Sequence, residues 1–185
     1  MSGNVFAGVA LSDDERHGLA TILRDAGLSQ RMPGRRTRPQ NWHLTLRFVG
    51  DVAESDVDRF AHRISETVHG AEPSPPFTVT TDGFGTFPRR NRASIVFASV
   101  TDGTGSLDTL ATRCEDAATD VGFEPEERPF HPHVTLSRTR PPVDLTRFPD
   151  SFDTGVRIVV SAVTVFRTRS TRDGPVYDPV HTIGL

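Results

Sequence analysis

A tetrapeptide that occurs twice in the chain supplies residue types suited to acid–base chemistry. His43-Leu-Thr-Leu46 returns as His133-Val-Thr-Leu136. Alternate side chains of a β-strand share a face and lie about 6.6 Å apart, so each copy would turn its His and Thr to one side. Histidine, with an ordinary pKa of about 6.5, can give or take a proton at neutral pH. Two such pairs across a cleft could act on a phosphate ester.

A single His-x-Thr segment would be ordinary, because structural histidines and strand threonines are both common. The whole pattern recurs, each time in a predicted strand, and this recurrence favours catalysis. We therefore expect His43 and His133 to form an acid–base pair. Thr45 and Thr135 would point into the same space and bind phosphoryl oxygens.

Two arginines near the motifs could bind phosphate through the planar guanidinium fork. Arg47 shares the predicted face of His43 and Thr45. Arg138 falls on the opposite parity from His133 but lies where its strand is expected to end. All 21 basic residues are arginines, so ordinary surface positions remain an alternative for both, and lysine-dependent mechanisms are excluded.

His131 and His133 could instead form a metal-binding pair, with glutamates at 124, 126 and 127 nearby. Metal sites need further ligands, and two histidines suffice for acid–base catalysis. We therefore expect neither a metal nor a cofactor. The single Cys114 excludes an intramolecular disulfide and a cysteine-based zinc cluster.

The length of 185 residues suits one domain, spanning 1–185, with two small lobes that share a core. A net charge of −3 argues against a protein held to nucleic acid by bulk charge, so any RNA contact should be local. No apolar run approaches 18 residues, and the N-terminal segment lacks the pattern of a signal peptide. We expect a cytoplasmic monomer without membrane contact.

Hydrophobic periodicity and turn residues predict alternating strands and helices. Ser12 to Glu15 matches a capping box and should begin the first helix. A loop is expected at 29–39 and a turn at 82–88. Strands are predicted at 4–11, 42–49, 77–81, 93–100, the second motif, 156–166 and 175–183, and further helices at 55–69 and 106–121.

On these residues the chain resembles the 2H phosphoesterase superfamily, and more narrowly the RNA 2′,3′-cyclic phosphodiesterases, also called 2′-5′ RNA ligases. The resemblance is carried by Asn41-Trp-His-Leu-Thr-Leu-Arg-Phe-Val-Gly50 and Phe130-His-Pro-His-Val-Thr-Leu-Ser-Arg138. Phe84-Gly-Thr-Phe-Pro88 and Gly174-Pro-Val-Tyr177 also look like the family. Ser94-Ile-Val-Phe97 departs from the pattern, where an aromatic residue such as tryptophan is expected.

The resemblance implies an α+β, bilobal fold in which two antiparallel β-sheets face a central cleft and helices pack outside. It implies that His43 is the proton donor and His133 the proton acceptor, roles that the residues alone do not distinguish. The implied reaction hydrolyses a terminal 2′,3′-cyclic phosphate on RNA to a 2′-phosphate. Alternatives are ATP-independent 2′-5′ RNA ligation, hydrolysis of another small cyclic phosphate, and RNA-end binding without turnover.

Overall fold

The computed structural model describes residues 3–152, 154–172 and 174–185; Met1 and Ser2 of the N-terminal segment considered above lie outside the described residues. The helices are α1 (Asp13–Asp25), α2 (Leu28–Arg31), α3 (Glu54–Val68) and α4 (Ser106–Asp120). The strands are β1 (Asn4–Ala10), β2 (Arg35–Arg36), β3 (His43–Asp51), β4 (Phe77–Phe87), β5 (Ala93–Thr101), β6 (His133–Val143), β7 (Arg157–Val160), β8 (Ala162–Thr171) and β9 (Gly174–Gly184).

The strands form a curled antiparallel sheet in the order β7-β4-β5-β6-β3-β1-β8-β9, with β2 added to β6. Its two halves, β7 to β6 and β3 to β9, are joined through one residue pair, Leu44 with Val134. Beyond that pair β3 and β6 diverge, which opens a cleft between the halves. The predicted α+β architecture, with antiparallel sheets on either side of a cleft, is confirmed.

The hydrophobic core lies between the sheet and the helices on its outer face. In α3, Val57, Phe60 and Ile64 are fully buried at helical spacing, and burying such a side chain stabilises a fold by about 1.5–3 kcal/mol. Helix α4 packs against both α3 and β3. Of the helices in the described residues, none combines the length and apolar character needed to cross a membrane.

The capping box predicted at the start of α1 is confirmed. The Glu15 amide donates to the Ser12 hydroxyl at 3.3 Å, and the Ser12 amide donates to the Glu15 carboxylate at 2.7 Å. The second carboxylate oxygen of Glu15 accepts the Val159 amide at 2.7 Å. Since α1 follows β1 and Val159 lies in β7, this carboxylate ties the two halves of the sheet together.

Two sequence predictions are wrong in ways that matter to the cleft. The β-branched run at 156–166 is two strands interrupted at Ser161, with β7 at the edge of one half and β8 inside the other. The expected turn at 82–88 belongs to β4, which pairs with β5 as far as Phe87. The expected loop at 29–39 also contains the short elements α2 and β2.

Candidate active site

The two motifs lie side by side where the halves of the sheet meet. Leu44 pairs with Val134 in antiparallel register. In each motif the paired residue lies between the His and the Thr, so the single pair brings the two motifs together. The structure therefore brings together all four residues that the sequence singled out.

Both imidazoles are held in the same tautomer by the backbone. Nδ1 of His43 lies 2.7 Å from the Asn41 carbonyl oxygen, and Nδ1 of His133 lies 2.6 Å from that of His131. A carbonyl only accepts, so each Nδ1 carries a proton. In each neutral ring Nε2 is then the acceptor, and that of His43 lies 3.1 Å from the Thr45 hydroxyl.

Aromatic side chains support each ring. His43 packs against Phe6 and Tyr177, with ring centroids 4.7 and 4.9 Å away. His133 packs against Phe97 at 5.0 Å, as well as against Phe87. Gly85 faces Phe97 across the β4–β5 pair, and a Cβ there would collide with the Phe97 ring. Two aromatic pockets thus fix where the imidazoles can point.

The surroundings favour the neutral form of both histidines. Burial is the largest cause and lowers the pKa of His43 from 6.5 to about 4, against the opposing effect of the bond to the Asn41 carbonyl. Burial likewise lowers the pKa of His133. The positive charge of Arg138 lowers the pKa of each ring further. An anion bound between them would act in the opposite direction and favour protonation.

Each motif strand contains a β-bulge directly after its threonine. Thr45 pairs with Gly8 whereas Arg47 pairs with Ala7, so Leu46 is the extra residue in β3. In β6 the register shifts in the same way, and Leu136 is the extra residue between Thr135 and Ser137. A bulge reverses the face on which each later side chain falls.

The bulge in β6 turns Arg138 toward the cleft. Arg138 pairs with Ile95, and Ile95 shares a face of β5 with Phe97, the partner of Thr135. The sequence parity had put Arg138 on the opposite side from His133. Its exposed guanidinium instead lies on the same face as the motif residues, where its charge acts on both histidines.

The bulge in β3 turns Arg47 away from the cleft, so the predicted shared face with His43 and Thr45 is wrong. Arg47 is only 6% exposed, and its Nε lies 2.6 Å from the carboxylate of Glu115 on α4. Its Nη1 donates to the Phe48 carbonyl at 2.7 Å and its Nη2 to the Glu124 carbonyl. The ion pair with Glu115 fastens β3 to α4, and the bond to Glu124 fastens β3 to the segment after α4.

Phe48, rather than Arg47, faces the cleft after the bulge in β3, and strand alternation in the sequence does not predict this. It is 44% exposed, an unusual state for phenylalanine in a packed sheet. It lines a cavity of about 760 Å³ in the gap where β3 and β6 diverge. Other lining residues include Thr45, Phe87, Ile95, Phe130 and His133.

His131 contributes its backbone carbonyl, which accepts from Nδ1 of His133. Its ring lies 6.4 Å from that of His133, edge-on to Phe87. Nearby Glu126 is held by Arg128 at 2.7 Å. Within the described residues no three His, Cys, Asp or Glu side chains converge as a metal site would require.

The comparisons with known proteins agree with this architecture. The 2′-5′ RNA ligase superfamily model matches residues 21–172. The RNA 2′,3′-cyclic phosphodiesterase of Aeropyrum pernix is 30% identical over 167 residues, covering 87% of this chain and 92% of that protein. Its counterpart in Methanothermobacter thermautotrophicus is 28% identical over 153 residues, covering 80% of each chain.

Solved structures show the same fold. Escherichia coli LigT complexed with 3′-AMP superposes with a TM-score of 0.81 at 23% identity, covering 100% of this chain and 99% of that one. The apo form gives a TM-score of 0.79 at 24% identity and covers 100% and 98%. With the paired motif strands, the family match and these folds in agreement, the chain belongs to the 2′-5′ RNA ligase superfamily.

Proposed function

We propose that this protein hydrolyses the terminal 2′,3′-cyclic phosphate of RNA and leaves a 2′-phosphate. The observation that carries the proposal is the pair of imidazoles held in one tautomer by backbone carbonyls, on motif strands that meet at Leu44 and Val134. The relatives from Aeropyrum and Methanothermobacter bear the name RNA 2′,3′-cyclic phosphodiesterase, which supports this substrate class.

Two proton transfers would open the ring. Nε2 of His133 takes a proton from water as the water oxygen bonds to phosphorus. The bond from phosphorus to the 3′ oxygen breaks, and that oxygen receives the Nε2 proton of protonated His43. His133 then returns its proton to solvent and His43 regains one, so the pair is reset. Assignment of His43 as donor and His133 as acceptor follows the family resemblance.

The other motif residues would bind the charge on the phosphoryl group. The hydroxyls of Thr45 and Thr135 donate to non-bridging oxygens, and the exposed guanidinium of Arg138 adds a charge-assisted bond. Preformed donors in a cleft shielded from water stabilise developing charge more strongly than water does. Arg47, bound to Glu115, would position β3 rather than contact the phosphate.

Purified protein incubated with a short RNA ending in a 2′,3′-cyclic phosphate provides the test. The expected product carries a 2′-phosphate, identified by chromatography against 2′- and 3′-phosphate standards. A 3′-phosphate product, or none, would contradict the proposal.

Two further assays address the alternatives. Addition of an RNA with a free 5′-hydroxyl detects 2′-5′ joining, and a panel of small cyclic phosphates detects a different substrate. Binding of the RNA end that persists in His43→Ala and His133→Ala, without turnover by the parent, would instead indicate an RNA-end binding protein.

A further inference from the structure

The two halves of the site carry different side chains at equivalent positions. Each motif strand has a bulge after its threonine, and in each the residue five positions after the histidine returns to the cleft face. That residue is Arg138 in β6 and Phe48 in β3. One half therefore presents a cation to the cleft and the other presents an aromatic ring.

The ring of Phe48 is available to a ligand. It is 44% exposed, and in the described part of the chain no aromatic ring packs against it, whereas Phe6 beside it stacks on Phe166 at 5.0 Å. The cavity in front of Phe48 is also lined by Phe87, Ile95 and Phe130. Apolar and aromatic side chains thus form part of its lining, together with His133.

The charges that line this cavity disfavour a phosphate. Both of its arginines are already paired, Arg47 with Glu115 and Arg128 with Glu126. Asp108 adds a further carboxylate to the lining. A neutral, flat heterocycle suits such a compartment better than an anion, while Arg138, which lies outside this lining, suits the phosphate.

We infer that Phe48 is the platform on which the base of the terminal nucleotide stacks, an inference that rests on the proposed function. The β1 partners of Thr45 and Phe48 are Gly8 and Phe6, two residues and about 6.6 Å apart. A phosphate bound at Thr45 is joined to its base through one ribose, which bridges a gap of this size. Stacking on a ring accepts any base, because every base has a π-face.

A competing place for the base is the cavity on the far side of His43. It measures about 700 Å³ and is lined by Gln40, Tyr177 and Val159, among others. Its aromatic side chains are already packed: Tyr177 lies edge-on against His43 and Phe6, while Phe166 and Trp42 are buried. Val159, an exposed large hydrophobic residue at 54%, lines this cavity and provides a matched control for Phe48.

The test compares two substrates that differ only in the base: adenosine 2′,3′-cyclic phosphate and 1-O-methylribose 2′,3′-cyclic phosphate. The measured quantity is the ratio of their kcat/KM values. Phe48→Leu keeps an apolar side chain but removes the ring, and should lower the ratio about fivefold or more. Phe48→Trp and the control Val159→Ala should keep the ratio of the parent.

A lowered ratio in Val159→Ala with an unchanged ratio in Phe48→Leu would overturn the inference and place the base in the far cavity. Binding of 2-aminopurine riboside 2′-monophosphate tests the platform without any turnover, since stacking quenches its fluorescence. Fluorescence quenching by the parent and by Phe48→Trp, but not by Phe48→Leu, supports stacking on Phe48. That support holds even if neither cyclic phosphate is hydrolysed. A lack of hydrolysis would contradict only the proposed function. Equal quenching by Phe48→Leu overturns the inference.

Discussion

At the residue scale, the backbone rather than a carboxylate orients both histidines. Asn41 and His131, each two positions before a motif histidine, supply the carbonyls that hold Nδ1. A carbonyl fixes the ring but brings no full negative charge, so burial prevails and the pKa of each ring falls. The proton needed by the acid would then be stabilised chiefly by the phosphate itself.

Removal of either motif histidine should damage turnover more than removal of a threonine hydroxyl. His43→Ala and His133→Ala each delete one proton transfer and should lower kcat/KM by about 10²–10⁴. Thr45→Val and Thr135→Val each delete one hydrogen bond to charged phosphate, about 1.5–3 kcal/mol, or roughly 10- to 150-fold. Circular dichroism should show all four variants folded, because these side chains face the cleft.

The control is His131→Ala, which keeps the backbone carbonyl and should stay within severalfold of the parent. Equal inactivity of a folded His131→Ala and His133→Ala would contradict the assignment of the second catalytic histidine. Donor and acceptor roles separate on a substrate with sulfur in place of the 3′ oxygen, whose departure needs no proton. That substrate should restore His43→Ala and leave His133→Ala impaired.

The pH dependence should report the lowered pKa values. The active free enzyme carries one proton on the pair, so kcat/KM should be bell-shaped, with two apparent pKa values that belong to the pair. Because burial lowers the pKa of both histidines, the maximum should lie below pH 6.5, with a tenfold fall per unit above the higher pKa. The maximum of kcat should lie at higher pH, since bound phosphate favours protonation. A maximum of kcat/KM above pH 7.5 would contradict this account.

Removal of metal ions should leave the rate unchanged. Both proposed proton transfers use histidine nitrogens. The carboxylate of Glu126, near His131 in the sequence, is already bound to Arg128. Dialysis against a chelator followed by the cyclic phosphate assay checks this. A lost rate that Zn²⁺ or Mn²⁺ restores would revive the metal site at His131 and His133.

At the element scale, the sequence predicts those features of helices and strands that depend only on neighbouring residues in the chain. The capping box at Ser12, the amphipathic stripes of α3 and α4 and the alternation of both motif strands are all visible in short windows of sequence. The bulges at Leu46 and Leu136 are not, because a bulge depends on the register of the neighbouring strand. That is why the alternation misplaced both Arg47 and Arg138 and concealed Phe48.

The split of the run at 156–166 was hidden for a related reason. Ser161 interrupts an otherwise continuous β-branched stretch, and nothing local says that β7 and β8 pair with different partners. The Glu15 bond to the Val159 amide shows why the break matters. It lets one segment serve both halves of the sheet.

Arg47 should matter to stability more than to phosphate binding. Arg47→Met leaves the carboxylate of Glu115 and two carbonyls without their cation, and loss of one partner of a buried pair costs about 3–5 kcal/mol. Because Glu115 is partly exposed, the free energy of unfolding measured in urea should fall by the lower end of that range or slightly less. The double variant Arg47→Met with Glu115→Gln should recover part of the loss.

Turnover by the folded Arg47→Met protein shows whether Arg47 positions β3 or binds the phosphate. If Arg47 only positions β3, kcat/KM of Arg47→Met should stay within about tenfold of the parent value when the protein is assayed well below its unfolding temperature. A loss as large as that of His43→Ala under those conditions would return Arg47 to the phosphate site.

At the scale of the whole molecule, a net charge of −3 coexists with a local basic surface at one end of the cleft. Arg138 and Arg140 alternate along β6 and are both exposed, and Arg35 in β2 pairs directly opposite Arg138. Phe48 lies toward the opposite end of the same face. The cleft thus has a basic end and an apolar end, which under the proposed function would take the sugar–phosphate chain and a base, although the protein as a whole is weakly acidic.

This arrangement predicts a salt dependence that grows with RNA length. Each phosphate neutralised by an arginine adds about 0.7 to the slope of log affinity against log salt for a single strand. The KM of a cyclic-phosphate oligonucleotide should therefore rise more steeply with salt than that of the mononucleotide. Arg140→Gln should reduce the oligonucleotide slope by about that amount, whereas Arg59→Gln, which removes an exposed arginine of α3, should not change it. Equal slopes for Arg140→Gln and the parent would mean that the chain leaves the site by another path.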